Sequence, residues 1–339
     1  MTNGSVRVSV FGKTDLGRTR EHNEDTFLVA DLSSGNASLQ PEVRNHEIGP
    51  RGSLFIVADG MGGAAAGELA SAMAADHIHH HMATTWGSDS TATAERFAYR
   101  MREAVELANS AIYAYGREHP EVRGMGTTVT AAGVFGSDLY LAQIGDSRAY
   151  LVRSPDAIQL TKDQSLMQRL VDAGELTEDE AEQSERRNII LQALGPDPRV
   201  KVDLTYQSIR RGDVLILCSD GLSGLVRREE FATLAGQHTD PPALCAALID
   251  LANARGGPDN ITVVTARFEG DGLREPDGAE GVGYQTYQLP PTGTQSDPGA
   301  APTGDSAAPE STLTLDRLRN LGLIALLLGV LMLLLAVWR

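Results

Sequence analysis

Cysteine is scarce in this sequence, and several motifs that mark common classes of protein are missing. Only Cys218 and Cys245 occur among 339 residues, which argues against a disulfide framework and fits a reducing compartment. Neither a Gly-x-Gly-x-x-Gly loop nor a phosphate-loop lysine motif is present, so nucleotide hydrolysis by those routes is not expected. The first residues lack the apolar stretch of a secretory signal peptide.

Positively charged residues are also fewer than negatively charged ones. Lys and Arg number 29 against 45 Asp and Glu, a formal net charge of −16. A polyanion needs a basic surface, so nucleic acid is not expected as a partner. Aromatic residues make up 5% of the chain, but the hydrophobic share of 42% is sufficient for an ordinary core.

One long apolar run does occur, at residues 321–338, and it carries no charge. As a helix it would be about 27 Å long, close to the roughly 30 Å core of a bilayer. Arg317 and Arg319 precede it, which by the positive-inside rule places the preceding domain in the cytoplasm. We therefore predict a tail-anchored, single-pass protein of the cell membrane, with a transmembrane helix at 317–339. The alternative is a buried helix of a soluble domain.

The composition shifts to Gly, Pro, Ser, Thr and acids at residues 269–316, which predicts a disordered acidic linker. Residues 5–268 have the patterns of one domain in which strands come in blocks and helices in pairs. This favours an α+β layered sandwich of antiparallel sheets over a parallel, doubly wound fold. Strands are expected at 6–11, 26–30, 54–58, 129–134, 139–144, 149–152, 213–218 and 261–268, and those at 139–144 and 149–152 are expected to form a hairpin that turns at Gly145-Asp146. Helices are expected at 68–82, 92–118, 165–173, 177–185 and 242–254, the second with an apolar stripe of Phe97, Met101, Val105, Ala108 and Ile112.

Aspartates stand where these strands end. Asp59, Asp220 and Asp259 each adjoin an apolar strand pattern, and the first two are followed directly by glycine. An Asp-Gly pair by itself is often only a hairpin turn. Buried carboxylates without partners are costly, however, so several that converge imply a shared counter-charge. Oxygen ligands without His or Cys favour Mg²⁺ or Mn²⁺ over zinc, which predicts a divalent-metal hydrolase.

Further short motifs complete an ordered series along the chain. They are Arg20-x-x-Asn23-Glu24-Asp25, Asp59-Gly60-Met61-Gly62-Gly63, Gly126-Thr127-Thr128, Gly145-Asp146-Ser147-Arg148, Ser219-Asp220-Gly221 and Asp259-Asn260-Ile261-Thr262. In order and spacing they resemble the PPM family, the metal-dependent (type 2C) serine/threonine protein phosphatases, in its bacterial form. The resemblance covers nearly all of residues 5–268. It implies a four-layer α-β-β-α sandwich of two antiparallel sheets flanked by helix pairs, with a flap at 160–195.

The resemblance also implies the reaction. Water activated between two Mn²⁺ or Mg²⁺ ions would hydrolyse phosphoserine and phosphothreonine in proteins, with a possible third ion. Asp59 would bridge two metals and the Gly60 carbonyl would bind one of them. Asp220 and Asp259 would complete the other site, and Asp146 with Asp220 would make the third, weaker metal site.

Two further positions complete the implied site. Asp25, with Glu24, would hold a metal through water. Arg20 would bind the substrate phosphate, because its planar fork suits phosphate. Arg20, Asp59 and Asp220 are thus the implied catalytic residues. Phosphorylated proteins, including a Ser/Thr kinase and its substrates, would be the partners in signal transduction.

The chain departs from the family where a proton donor is expected. Bacterial members usually carry His at the position of Ala64, and eukaryotic members carry His at the position of Met61. One alternative is therefore a weakened pseudo-phosphatase that binds phosphoproteins as a signalling module. Another is a related phosphatase acting on an anti-sigma-antagonist-type regulator.

Four other features have structural interpretations. The tract His77-Ile78-His79-His80-His81 is interpreted as a solvated helix face. Cys218 is expected in the core, Arg148 is expected to brace Asp146 or its turn, and Gln164 at the flap entry is expected to affect substrate access.

Overall fold

The computed structural model describes residues 4–277 and 281–289, and it forms the secondary structure expected of an α+β protein. The strands are β1 (Arg7–Asp15), β2 (Asp25–Asp31), β3 (Asn36–Ala37), β4 (Asn45–Glu47), β5 (Ser53–Met61), β6 (Gly126–Thr127), β7 (Val129–Phe135), β8 (Asp138–Ile144), β9 (Arg148–Arg153), β10 (Asp156–Gln159), β11 (Asp203–Ser208), β12 (Val214–Cys218) and β13 (Ile261–Glu269). The helices are α1 (Pro41–Arg44), α2 (Ala64–His81), α3 (Ala94–Glu118), α4 (Leu166–Asp172), α5 (Glu178–Glu182), α6 (Asp220–Ser223), α7 (Arg228–Gln237) and α8 (Pro241–Ala254). A π-helical turn follows α2 at Met82–Trp86, and a 3₁₀ turn lies at Pro120–Val122.

The strands form two antiparallel sheets. The first sheet has the order β10-β9-β12-β13-β1-β4, and the second has the order β11-β8-β7-β5-β2-β3, with β6 paired to β5. The inner faces of the two sheets share one apolar core, in which Phe55 meets residues such as Leu217 and Phe268. Alternating apolar residues in β1 supply one inner face, whereas β5 is apolar from Leu54 to Ala58 and is buried on both sides there.

Helices cover both outer faces, which confirms the layered sandwich. Helices α2 and α3 bury a second core against the second sheet, and α7 and α8 bury a third against the first sheet. The side chain of Thr93 caps α3 by accepting from the backbone N–H of Arg96 at 3.3 Å. The predicted apolar stripe of α3 is buried, because residues three and four apart share a helix face.

The predicted hairpin at Gly145-Asp146 is wrong. Strand β8 belongs to the second sheet, but β9 pairs with β12 and β10 in the first sheet. The turn therefore carries the chain across the sandwich from one sheet to the other. Gly145 has φ +101°, and a Cβ there would lie 2.6 Å from the Thr128 methyl group, so this crossing needs glycine. Periodicity indicates a strand but not the sheet that the strand joins.

The folded part extends past the predicted linker boundary at 269. Leu273 is buried, and residues 281–289, here called the C-terminal strap, run along β11. The N–H of Tyr206 donates to the carbonyl of Gln285 at 3.0 Å, and the N–H of Tyr287 donates to Leu204 at 2.7 Å. Strap residues therefore extend the sheet by hydrogen bonding at its edge.

The predicted transmembrane helix at 317–339 and most of the predicted linker lie outside the described residues. Within the described ranges, no helix combines the length and the apolarity needed to cross a membrane.

Candidate metal-dependent active site

Acidic residues from both sheets meet at one end of the sandwich. Asp25 begins β2 and lies directly opposite Asp59 in the antiparallel register of β2 and β5. Asp220 begins α6 just after β12, and Asp259 precedes β13. Adjacent strands of the two sheets therefore deliver these carboxylates to one place, as the sequence predicted from the strand ends.

Asp25 is held from both sides of the sandwich. Its Oδ2 accepts a hydrogen bond from Ser219 Oγ at 2.8 Å, and its N–H donates to Asn23 Oδ1 at 3.1 Å. Its Oδ1 is buried without a hydrogen-bond partner among the described residues. Burial raises the pKa of Asp25 to about 7, and repulsion from Asp220 and Asp259 adds to the shift. These hydrogen bonds therefore orient the Asp25 side chain, but they do not balance the charge of its ionised form.

Asp59 is fixed through its backbone. Its carbonyl accepts hydrogen bonds from the N–H of Thr128 at 2.8 Å and from Thr127 Oγ1 at 2.9 Å. Thr128 Oγ1 in turn accepts from the N–H of Asp59 at 3.2 Å. Burial, followed by repulsion from Asp25 and Asp220, raises the pKa of its carboxyl well above the ordinary value. The Gly-Thr-Thr motif therefore braces the loop that carries the predicted bridging ligand.

Glu24 and Gly60 lie where β5 meets the first turn of α2. The N–H of Gly60 donates to the Glu24 carbonyl at 3.1 Å, and Ser71 Oγ on α2 donates to the same carbonyl at 2.6 Å. A Cβ on Gly67 would lie 1.8 Å from Glu24 Oε2, so only glycine leaves room for this carboxylate. Sequence reasoning missed Gly67 and Ser71. The one available signal was an isolated glycine within a helical pattern.

Asp146 reaches the same acidic group from the turn between the sheets. Its side chain is 6% exposed, and its Oδ1 has no hydrogen-bond partner among the described residues. Burial raises the pKa of Asp146 to about 8, and repulsion from Asp220 and Asp163 contributes. Burial, followed by repulsion from Asp259, also raises the pKa of Asp220.

Arg20 and Asp259 are joined in an ion pair. Arg20 Nη2 donates to Asp259 Oδ2 at 2.7 Å, and Asp259 Oδ1 accepts from the N–H of Asn260 at 2.8 Å. The Arg20 side chain is 48% exposed, so part of its guanidinium faces solvent at the mouth of the site. The Asn260 side chain also accepts from the N–H of Glu24 at 2.9 Å, which connects the two acidic motifs.

The expectation for Arg148 needs correction. Its guanidinium binds Asp163 at the flap entry, where Nε and Nη2 donate to Asp163 Oδ2 at 3.0 and 2.7 Å. Nη1 donates to the Tyr150 hydroxyl at 3.1 Å. Arg148 therefore hydrogen-bonds the flap entry and not Asp146, on which it acts only through its charge.

The histidine tract and the cysteines do not join the site. On α2, His81 Nε2 contacts Glu103 Oε2 at 2.9 Å, and Ile78 is buried in the core. His77 and His80 are exposed, whereas His79 and His81 are half-buried, so the tract is only in part the solvated helix face that the sequence predicted. Cys218 and Cys245 are both buried, which confirms the core position predicted for Cys218.

A cleft beside the acids provides access to them. Its volume is about 1250 Å³, and it lies between the flap helices α4 and α5 and the segment that contains α6 and α7. Asp146, Asp220 and Asp259 line one side of it. A protein segment that carries a phosphorylated residue could therefore approach the acids from solvent.

The donor set fits Mn²⁺ or Mg²⁺. Two buried carboxylate oxygens, on Asp25 and Asp146, lack partners, and several carboxylates repel one another. In residues 4–277 and 281–289, no group of three or more Asp, Glu, His or Cys side chains is arranged to hold a metal ion by itself. Mg²⁺ keeps several waters and needs few protein ligands, so a sparse set of oxygens suits it.

Comparison with known proteins agrees with this site. The family model described as "Protein phosphatase 2C" matches residues 42–242. The serine/threonine phosphatase stp of Listeria welshimeri is 37% identical over 254 residues, covering 74% of this chain and 92% of that protein. The serine/threonine protein phosphatase PstP of Mycobacterium tuberculosis is 42% identical over 254 residues, covering 75% of this chain and 44% of that protein.

Solved structures show the same architecture. The crystal structure of Mycobacterium tuberculosis PstP/Ppp has a TM-score of 0.65 and 36% identity, covering 78% of this chain and 99% of that one. The PstP catalytic domain in complex with two manganese ions has a TM-score of 0.63 and 35% identity, covering 78% and 99%. The chain belongs to the protein phosphatase 2C family, in the bacterial type of these metal-dependent enzymes. It is a serine/threonine protein phosphatase that uses Mn²⁺ or Mg²⁺.

Proposed function

We propose that the converging acids of this chain carry out the family reaction, the hydrolysis of phosphoserine and phosphothreonine in proteins, with the residue roles that the sequence predicted. The observation that supports this best is a group of buried carboxylates with too few cationic partners. Such a group is unfavourable unless a cation joins it. Asp59 and Asp220 would be the central ligands, with Asp25, Asp146 and Asp259 around them.

Each part of the site has a separate proposed task. The bound ions supply Lewis acidity and lower the pKa of a water to near neutrality. Glu24 and the Gly60 carbonyl add oxygen donors beside Asp59. Arg20 binds the substrate phosphate, because its exposed guanidinium is held at the cleft mouth by Asp259.

In the described part of the chain no imidazole is hydrogen-bonded to these carboxylates, although the charge of His22 acts on Glu24. Met61 lies in β5 opposite Gly126 of β6, and the exposed His22 meets Asn260 through its carbonyl rather than its ring. An aryl phosphate releases a stable phenolate and needs little protonation of its leaving group. We therefore expect an aryl phosphate to be hydrolysed more readily than a phosphothreonine peptide.

The test compares hydrolysis of both substrates in Mn²⁺ and in EDTA. Metals contribute several kcal/mol to the transition state, and each 1.36 kcal/mol is tenfold in rate, so Asp59→Asn and Asp220→Asn should each lose about 10³-fold in kcat/KM. Asp31→Asn is the matched control, because Asp31 ends the same strand that Asp25 begins. Turnover that persists in EDTA would contradict the metal mechanism. Phosphopeptide binding without any turnover in Mn²⁺ would instead favour the pseudo-phosphatase.

We also propose attachment to the cell membrane, with the catalytic domain in the cytoplasm and a Ser/Thr kinase and its substrates as partners. The uncharged run at 321–338 and the arginines before it support this proposal. Full-length protein should sediment with membranes and resist extraction by carbonate, whereas a chain ending at Asp316 should not. Equal distribution of the two chains would contradict the proposed anchor.

A further inference from the structure

Gln164, at the flap entry, holds the turn that carries Asp146. Its Oε1 accepts a hydrogen bond from the N–H of Gly145 at 3.0 Å. Its own N–H donates to the Gly145 carbonyl at 2.9 Å. Both polar groups of the residue before Asp146 are therefore bound by one flap residue.

The same residue also joins the two ends of the flap. The N–H of Leu191 donates to the Gln164 carbonyl at 2.7 Å, and the N–H of Leu166 donates to the Ile189 carbonyl at 2.9 Å. Within the described residues, Gln164 thus links three places: the entry of the flap, its return and the turn between the sheets.

The turn needs such support. Asp146 is buried with Oδ1 unpartnered, so its carboxylate is repelled by the other acids and would gain by swinging out to water. Gln143 also binds the turn, because its Nε2 donates to the carbonyls of Gly145 and Ser147, each at 3.2 Å. The Gly145 N–H, which comes just before Asp146, is bound by Gln164 alone among the contacts that the structure describes.

We propose that Gln164 is a positioning residue whose side chain keeps the Asp146 carboxylate directed into the acidic cleft and so maintains the weakest of the metal sites. This rests on the proposed role of Asp146 as a metal ligand. Gln164 touches no reacting atom; it acts through the backbone of Gly145. The flap entry therefore contributes to metal affinity as well as bordering the route for substrate.

The experiment counts Mn²⁺ sites in the full chain from the electron paramagnetic resonance signal of free Mn²⁺ during a titration. Gln164→Leu removes the acceptor at similar size. Gln164→Asn keeps a polar amide that is too short to reach Gly145, and it serves if the leucine variant does not fold. Gln168→Leu is the matched control, because Gln168 lies on the same flap but its amide donates only to Asp172, at 3.0 Å.

A single hydrogen bond is worth about 1 kcal/mol, so Gln164→Leu and Gln164→Asn should weaken the weakest Mn²⁺ site by roughly 3- to 10-fold. The tighter sites and the Gln168→Leu variant should match the unmodified protein. Adding Gln164→Leu to Asp146→Asn should cause no further change, because the side chain that Gln164 positions is then no longer a carboxylate.

Three results would overturn the proposal. One is a Gln164→Leu titration identical to that of the unmodified protein. Another is an equal weakening by Gln164→Leu in the presence and absence of Asp146→Asn. A third is an Asp146→Asn protein that binds Mn²⁺ at every site as before, which would remove the role of Asp146. The phosphatase mechanism is tested separately, by activity in Asp59→Asn, and would survive any of these results.

Discussion

Two buried aspartates at different places in the sandwich differ in the partners of their carboxylates, and this difference indicates their roles. Asp213, just before β12, is 1% exposed, and it receives a bidentate ion pair from Arg153 at 3.0 and 2.8 Å and a backbone hydrogen bond from the N–H of Arg210 at 2.8 Å. Asp146 is nearly as buried, but its Oδ1 has no partner among the described residues, and repulsion from Asp220 and Asp163 outweighs the attraction of Arg148. The contacts of Asp213 are therefore those of a structural ion pair. Asp146 lacks such a pair and requires a bound cation.

The difference separates a stabilising group from a functional one. Removing one partner of a buried ion pair leaves an uncompensated charge, so the pair at Asp213 is costly to break. Removing a carboxylate that is already uncompensated relieves repulsion. Removing the carboxylate should therefore lower the free energy of unfolding at Asp213 and raise it at Asp146.

The largest effect on stability is expected at Asp213. Replacing it with alanine should lower the free energy of unfolding by about 3–5 kcal/mol, because Arg153 and the N–H of Arg210 would both lose the buried carboxylate that they bind. At a few degrees per kcal/mol, the midpoint of thermal unfolding should fall by roughly 10 °C. Calorimetry in EDTA measures this, with Asp31→Ala as the control at a half-buried aspartate. A change below 1 kcal/mol would remove the contrast with Asp146.

A smaller change with the opposite sign is expected at Asp146. In EDTA, Asp146→Asn should raise the free energy of unfolding by roughly 1–3 kcal/mol, since it removes a buried carboxyl group that must either carry an unpaired charge or hold a proton. In Mn²⁺ the same variant should gain less stability from the metal than the unmodified protein does. Chemical unfolding with and without Mn²⁺ checks both statements. A destabilised variant in EDTA would mean that the carboxylate has a structural partner in solution.

The dependence on pH should also distinguish the two regions. Folding raises the pKa of Asp25 to about 7 and that of Asp146 to about 8, above about 3.9 for a free aspartate. The folded, metal-free protein therefore keeps protons that the unfolded chain has released. Its stability should fall as pH rises from about 4 to 8, and the contribution of Asp146 should vanish in Asp146→Asn.

Mn²⁺ should reverse this trend, because the ligands must lose their protons to bind it. The rise in the unfolding midpoint on adding Mn²⁺ should therefore grow between pH 5.5 and pH 8. Differential scanning fluorimetry across this range, in EDTA and in Mn²⁺, is sufficient. A rise of the same size at both ends would show that the carboxyl groups are already ionised at low pH.

The smallest effect is expected at the C-terminal strap, whose contacts involve no buried acid. The Tyr287 ring packs edge-on against Tyr140 and Tyr206, with centroids 5.3 and 5.5 Å away. Tyr287→Ala should cost about 1–2 kcal/mol of stability from lost ring contacts and apolar burial. That cost should not vary between pH 5.5 and 8. Tyr284→Phe is the milder control, because it removes only the hydroxyl that donates to Asp203 at 2.9 Å.

The sequence predicted this site better than it predicted the topology around it. Asp25, Asp59, Asp220 and Asp259 could be located because each adjoins a strand with a clear apolar pattern. The sheet that β9 joins could not be predicted, because a period of two is the same in either sheet. Gly67 and Ser71 were missed because their importance depends on how closely α2 approaches β5, which no local pattern records. The strap was missed because only a few apolar residues in a polar segment mark it.

The register of β2 against β5 has a consequence for the whole reaction. Asp25 faces Asp59 only while the strands pair as they do, and a slip of two residues would shift one carboxylate by about 7 Å along the strand. A slip of one residue would turn it to the opposite face. Residues 32–52 between these strands contain β3, α1 and β4, so only a change in length that keeps these elements and the pairing in place should preserve turnover. Turnover therefore depends on the alignment of β2 with β5. Loss of activity in a loop variant that keeps all the acidic residues would indicate a misaligned sheet.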